Sequence, residues 1–255
     1  SLRDISERKL AHQREFEMAL EKERTQLLKE FIQDAAHEFR TPLSIINTNT
    51  YIAGRTKDHD QRQVRLKHIE DEVWRITKLL DSMLLMTKLD THNLTTKVPV
   101  SLPQLLRLVS SNVCLRQRAR VTLSLQMPLD LPFVLGDESY LIDAFHELLD
   151  NAYRFSPGEG VITITAQQND HHILLDISDE GEGIAETDLP HIFDLFWRQD
   201  KAHSTPGFGL GLSIARKIIQ LHGGDITVTS TIGVGSRFQV MLPIATELAT
   251  VSVAR

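Results

Sequence analysis

Five stretches of this chain carry side chains at spacings that could do chemistry. In Phe31 to Leu43 (FIQDAAHEFRTPL), His37 and Thr41 are four apart and share a helical face, with Glu38 beside the imidazole. That set offers a nitrogen nucleophile, a base and a hydroxyl. Pro42 cannot donate a backbone hydrogen bond and is expected to bend the helix just past them, while Ala35 and Ala36 leave room for a bulky group to approach. In HELLDNAYRFSP, Glu147 and Asn151 are also four apart, and a carboxylate and an amide stacked this way suit a hydrated magnesium ion. Asp179-Glu180-Gly181-Glu182-Gly183-Ile184 directly follows a strand-like run. An acid there can accept from an exocyclic amine, and the glycines let a backbone approach a planar ring. In IFDLFWRQD, Arg198 is a candidate phosphate contact, Phe193 reads as a core anchor, and the polar stretch up to Pro206 reads as a mobile lid. Finally, in GFGLGLSIARKII, Gly207, Gly209 and Gly211 open a helix whose freed amides form an anion site. No GK[ST] follows those glycines, so they are not a Walker A loop, and they do not leave the first strand of a parallel sheet as a Rossmann fingerprint does.

The elements that must hold these residues are legible in the rest of the chain. At 255 residues it is long enough for one large domain or two small ones, and 41% hydrophobic with 24% charged residues is ordinary for a globular protein. A net charge of -6 without a dense basic stripe argues against nucleic acid as a partner. The single cysteine, Cys114, rules out an internal disulfide and fits a reducing compartment. No run approaches the length of a transmembrane helix, and the chain starts inside a charged helix, as a fragment of a longer protein would. Of the 11 histidines, His12, His59 and His68 read as solvated helix positions and His222 as the residue before a glycine turn.

Residues 1–30 lack Gly and Pro and are rich in helix formers, with a patchy apolar seam that suits a two-stranded coiled coil. This helix runs on through His37 to about Ala53; Gly54 and the tract RTKDHDQR mark a turn. A second helix follows, with Leu66, Ile69, Val73, Ile76, Leu80, Met83 and Leu84 spaced by threes and fours. The apolar stripes of this hairpin (31–90) are too broad for two helices to cover each other, so two copies are expected to pair as a four-helix bundle. The bridge DTHNLTTK (hinge 91–97) leads to a region of mixed strands and helices, 98–245, without a βαβ rhythm. It reads as an α+β sandwich with helices on one face, followed by a tail, 246–255.

Taken in order, these boxes resemble the sensor histidine kinases of two-component signalling. HEFRTP is similar to the H-box, ELLDN to the N-box, DEGEGI to the G1 box, IFDLFW to the F-box and GFGLGL to the G2 box. The resemblance covers about residues 30–243 and implies a dimerisation and phosphotransfer hairpin followed by a Bergerat-type ATP-binding domain. It implies that His37 accepts phosphate, that Glu38 withdraws its proton and that Thr41 positions water for a phosphatase reaction. It implies ATP and Mg²⁺ as cofactors, with Asn151 and Glu147 at the metal. The nucleotide would lie against Glu147, Asn151, Arg154, Phe155, Asp179, Gly181, Gly183, Ile184, Phe196, Arg198, Gly207, Gly209, Leu210, Gly211 and Leu212, with Asp179 recognising adenine. The implied partners are a second copy of the chain and the receiver domain of a response regulator. The implied location is the cytoplasmic portion of a bacterial sensor anchored in the inner membrane. Two positions depart from the family pattern: Glu147 stands where asparagine is usual, as in related hydrolytic ATPases, and Arg154 where lysine is common.

Overall fold

The computed structural model describes residues 2–91, 97–116, 120–156, 158–199 and 207–245. Residues 92–96 of the expected hinge, the polar stretch 200–206 of the expected lid, the C-terminal tail, and the side chains of much of the coiled-coil seam, lie outside the described residues. The chain divides into two compact units, Ser1–Leu80 and Asp81–Arg255.

The first unit is built on helix α1 (Leu2–Arg55) and most of helix α2 (His59–Thr91). Helix formers without glycine carry α1 as far as Gly54, and Pro42 sits inside it rather than ending it. Between the helices, Asp58 accepts from the N–H groups of Asp60 (2.9 Å) and Gln61 (3.2 Å), capping the start of α2. The buried positions of α1 include Ala35, Pro42 and Asn49, each seven residues from the next, which is the repeat of a helix facing one neighbour along its length. Asn49 takes part in that face as a polar group: its Nδ2 donates to the Ile45 carbonyl (2.9 Å) and its Oδ1 accepts from Arg65 of α2 (3.4 Å). Elsewhere the hairpin leaves large apolar side chains in water, among them Leu28, Ile32, Leu43, Val73 and Trp74.

The second unit is a two-layer α+β domain. Its main sheet has the strand order β2-β4-β5-β7-β6, from Arg120–Gln126 (β2), Glu159–Gln168 (β4), His172–Asp179 (β5), Asp225–Thr231 (β6) and Gly235–Pro243 (β7). The β2–β4 pair is parallel and the others are antiparallel. Two short strands, β1 (Val98–Val100) and β3 (Val134–Gly136), form a separate antiparallel pair. One face of the main sheet is apolar, with Ile162, Ile164, Ile173, Leu175, Ile177, Phe238 and Val240 all buried. The strands alternate, so the other face is polar, and there Asp176 accepts from Arg237 and from Gln239 (2.9 Å). Helices α3 (Leu102–Arg116), α4 (Glu138–Phe155) and α5 (Gly211–Leu221) supply the second layer. On α4 the buried set Leu141, Ala144, Phe145, Leu148, Leu149 and Ala152 has the three-four spacing that keeps one stripe inward.

Helix α4 starts at a defined point because Asp137 caps it, accepting from Ser139 N–H (3.0 Å) and Tyr140 N–H (3.4 Å). Asp137→Ala is expected to cost about 1 kcal/mol of stability, read as a lower urea midpoint at unchanged slope. An unchanged midpoint would show that the cap is dispensable.

Candidate active site

His37 lies on an exposed part of α1, with Thr41 exposed one turn on and Glu38 half-buried beside it. The spacing does what a helix dictates: residues four apart rise on the same side. A neighbour that the spacing argument overlooked is Arg40, whose Nη1 is 3.5 Å from His37 Nδ1. A guanidinium only donates, so in this arrangement Nδ1 accepts and Nε2 carries the proton of a neutral ring.

The other groups converge in the second unit. Asp179 ends β5 and is 8% exposed. Burial raises its carboxyl above the ordinary range, while hydrogen bonds from the backbone of Gly181 and Ser236 pull the other way. Both bonds fall on Oδ1, at 2.8 Å from Gly181 and 3.3 Å from Ser236. Neither uses Oδ2, which leaves that oxygen to accept from something else. The loop behind it is drawn tight. Glu182 N–H donates to the Phe155 carbonyl at the end of α4 (3.2 Å), and Gly233 N–H donates to the Glu182 carbonyl (2.8 Å). Ile184 N–H reaches Ser230 Oγ (2.8 Å), which in turn donates to the Gly235 carbonyl (2.8 Å) and lies 3.0 Å from Ser236 Oγ. Ser230 and Ser236 gave no signal in the sequence beyond being strand residues, because their partners are 46 and 57 positions away.

Two of the glycines here also hold a left-handed backbone. Gly183 has φ +72°, and a Cβ on it would overlap the Thr231 carbonyl. Gly209 has φ +70° and lies against the backbone of Phe196 and Trp197; Phe196 itself takes φ +60°, unusual for an aromatic residue.

Helix α5 begins at Gly211, and its N-cap position, Leu210, makes no side-chain cap bond. Its first amides therefore have no side-chain cap and point where an anion would be welcome. Glu147 and Arg154, both on α4, reach this end. A Cβ on Gly211 would meet the Glu147 carboxylate, and one on Gly207 would meet the Arg154 guanidinium, which also pairs with Asp150. Asn151 is half-buried on the same helix, between them in sequence. Phe155, Ile184, Leu212, Phe196 and Arg198 are half-buried, whereas Leu210 is 2% exposed, so its side chain belongs to the core and only its backbone faces the loop. Among the described residues no cluster of three or more His, Cys, Asp or Glu could hold a metal ion, and no helix is long and apolar enough to cross a membrane.

Comparison with known proteins bears on both regions. Residues 27–92 match the His Kinase A (phospho-acceptor) domain, and residues 136–246 match the histidine kinase-, DNA gyrase B- and HSP90-like ATPase family. The chain is 33% identical to the sensor protein kinase PmrB of Pseudomonas aeruginosa over 245 residues, covering 94% of this chain and 51% of that protein. It is 36% identical to the signal transduction histidine-protein kinase ArlS of Staphylococcus epidermidis over 227 residues, covering 85% of this chain and 48% of that protein. The chain thus spans about half the length of these curated relatives. Among solved structures it is similar to full-length ShkA in complex with AMPPNP, with a TM-score of 0.63 and 26% identity over 86% of this chain and 46% of that one.

Two glycine substitutions should separate fold from site. Gly183→Ala forces a side chain into both a left-handed backbone and a neighbouring carbonyl, and should cost about 3 kcal/mol or more. Gly211→Ala meets only the movable end of Glu147, so its thermal midpoint should stay close to wild type while the carboxylate is displaced. Equal midpoints for the two variants would overturn this account of the loop.

Proposed function

The chain belongs to the sensor histidine kinases of two-component signal transduction, and from that premise we propose that it phosphorylates its own His37 from ATP and passes the phosphoryl group to an aspartate of a separate response regulator. The observation that carries the nucleotide half is Asp179: a buried acid with one oxygen tied to two backbone amides and the other uncommitted, in a glycine-walled recess. Such an oxygen accepts from the exocyclic amine of adenine, and the open amide end of α5 suits the phosphates. ShkA, a relative of the same architecture, is a complex with the ATP analogue AMPPNP, which supports the same ligand here. Arg154, against Gly207, adds positive charge beside that end, and Arg198 is assigned to the phosphates from its place in the IFDLFWRQD motif. Asn151 and Glu147 would hold Mg²⁺, an ion that keeps several waters and needs few protein oxygens. The ion would supply charge neutralisation at the phosphates.

On this reading the chain's own residues do the following. His37 attacks the γ-phosphorus, a nitrogen–phosphorus bond forms, the bond to the β-phosphate oxygen breaks and ADP leaves. A neutral imidazole is already nucleophilic near pH 7. The nitrogen that attacks needs its lone pair, so attack through Nε2 requires the proton on Nδ1. Arg40 must then turn away from Nδ1, and Glu38 accepts the proton as the ring becomes positive. The phosphohistidine is reactive enough to hand the group on to a carboxylate. Thr41, exposed on the same face, would orient water when a phosphorylated regulator docks, which would give a phosphatase activity at the same site.

A homodimer through the hairpin follows from the uncovered apolar side chains of Leu28, Ile32, Leu43, Val73 and Trp74, which a second hairpin would bury in a four-helix bundle. The relatives are sensors about twice this length, and we read this chain as the cytoplasmic portion of a membrane-anchored protein of that kind. Glu147 favours one additional activity. A carboxylate against the phosphate end of α5 can activate water, so slow ATP hydrolysis should accompany the kinase reaction.

Three measurements test this. Incubation with γ-labelled ATP should give an acid-labile, alkali-stable label on wild type and none on His37→Gln; label persisting on another side chain would sink the proposal. Asp179→Asn keeps Oδ1 for its two amides but turns the free oxygen into a donor. It should hold or raise the thermal midpoint, since it removes a buried charge, and weaken ATP binding on the order of a hundredfold. Glu147→Asn should reduce hydrolysis and leave labelling of His37 intact.

A further inference from the structure

Outside the site, the two helices that build it are joined at their far ends by one buried imidazole. His222 follows the last residue of α5 and is 3% exposed. Its Nε2 accepts the backbone N–H of Asp137 at 3.0 Å, and its Nδ1 lies 2.7 Å from the Ile218 carbonyl. A carbonyl only accepts, so Nδ1 carries the proton, the ring is neutral and both nitrogens are engaged. Gly136 makes the space: a Cβ there would overlap the ring. Asp137 caps the start of α4, so this bond ties the C-terminal end of α5 to the N-terminal end of α4. The helices therefore run antiparallel, which is what Glu147 against Gly211 also requires.

We infer that His222 is a positioning residue that fixes the axial register of α4 against α5, and so sets Glu147 and Arg154 against the glycine loop. From Asp137 to Glu147 the chain climbs ten residues, about 15 Å, and from Gly211 to His222 eleven, about 16.5 Å. The polar contact and the site contact thus close the two ends of a ladder with nearly equal rails. Between them the buried residues are apolar, Leu141, Ala144 and Leu148 on α4 and Ile214 and Ile218 on α5, apart from Ser213, whose hydroxyl bonds back to the Leu210 carbonyl (2.8 Å) and not across to α4. Apolar burial is non-directional, so by itself it tolerates a slide that swaps one neighbour for the next. A hydrogen bond does not: it is lost when donor and acceptor part by about 1 Å. The charged groups acting on the imidazole are Lys97 and Asp137. Burial holds the His222 pKa below its ordinary 6.5 and Lys97 adds to that, while the two backbone bonds and the Asp137 charge oppose it. Because the folded pKa is the lower one, the contribution of this bond is complete above pH 6.5 and is lost as pH falls through the folded value.

The register is tested without nucleotide. A Cβ on Gly211 would stand 3.7 Å from the Glu147 Cβ, within the span of a disulfide. In a Cys114→Ser background, the pair Glu147→Cys and Gly211→Cys should oxidise readily with His222 in place. It should do so equally with His222→Gln, whose amide oxygen can still accept from Asp137. With His222→Asn, too short to reach, or His222→Met, of similar bulk without a strong acceptor, oxidation should slow by about tenfold. Wild-type rates in whichever of those two variants folds would overturn the inference. The consequence for catalysis rests on the proposed function: with residues 114, 147 and 211 restored, His222→Asn should raise the KM for ATP about tenfold and His222→Gln leave it within about twofold. A wild-type chain that took no phosphate from ATP would defeat the proposed function, while the cross-linking rates would still decide the register.

Discussion

The second unit depends on keeping one carboxylate out of water. A charged group in an apolar sheet end costs stability unless hydrogen bonds stand in for its hydration. For Asp179 those bonds come from backbone amides on two separate segments, Gly181 in its own loop and Ser236 at the start of β7. Backbone can come that close only if side chains are absent. Gly181 would clash with the Asp179 carboxylate and the Phe155 carbonyl if it carried a Cβ, and Gly235 with the Asp179 backbone. The glycines of this loop are thus the geometric condition for burying the acid, as much as a bed for any ligand. The serine pair Ser230 and Ser236 then satisfies the amides and carbonyls that the tight loop would otherwise strand.

Much of this was legible in the sequence because it is written locally. Helix periodicity and strand alternation are set by residues a few positions apart, and the first helix, expected to run to about Ala53, ends at Arg55. The α+β sandwich with helices on one face was legible for the same reason. What local spacing could not give was the pairing between distant segments. The parallel β2–β4 contact joins strands with α4 between them, and no turn residue announces it. His222 illustrates the same limit. Before two glycines it looks like a helix-ending residue, which it is, yet its bond to Asp137 spans 85 positions and needs the fold to be seen. Arg40 was hidden differently: it lies inside the motif, but its approach to the imidazole depends on a rotamer, and spacing says nothing of rotamers.

The helical unit obeys a different economy. Its inner face admits polar groups that a packed core would exclude, with Asn49 bonded to Arg65 and a Glu72 carboxylate oxygen buried without a hydrogen-bond partner. A single hairpin this polar inside and this apolar outside is poorly specified by itself. Polar residues at facing heptad positions do confer register, since only one alignment lets Asn49 meet Arg65. The hairpin therefore combines a fixed register with a weakly held interior. The energy separating alternative packings of this stem is then small.

On the proposed function, the same electrostatic reasoning explains why a divalent cation should matter more here than the asparagine pattern of the family would suggest. The amide end of α5 attracts anions, but in this chain it already faces one, the Glu147 carboxylate against Gly211. A triphosphate arriving at that end brings further negative charge to a place where Asp150 already pairs with Arg154. Two anions a few ångströms apart in a partly dehydrated recess repel strongly unless a counter-charge lies between them. Arg154 can neutralise oxygens at the edge, whereas Asn151 and Glu147 would hold a hydrated cation that would supply the counter-charge the carboxylate and the ligand need. With asparagine at position 147 the ion would only complete a coordination shell. With glutamate it also removes a repulsion, so nucleotide affinity should fall more steeply on chelation in this chain than in a Glu147→Asn variant, and a titration of ATP binding with and without Mg²⁺ in the two proteins measures that difference directly. Equal losses in both would mean that the carboxylate swings clear of the phosphates and takes no part in holding the ion.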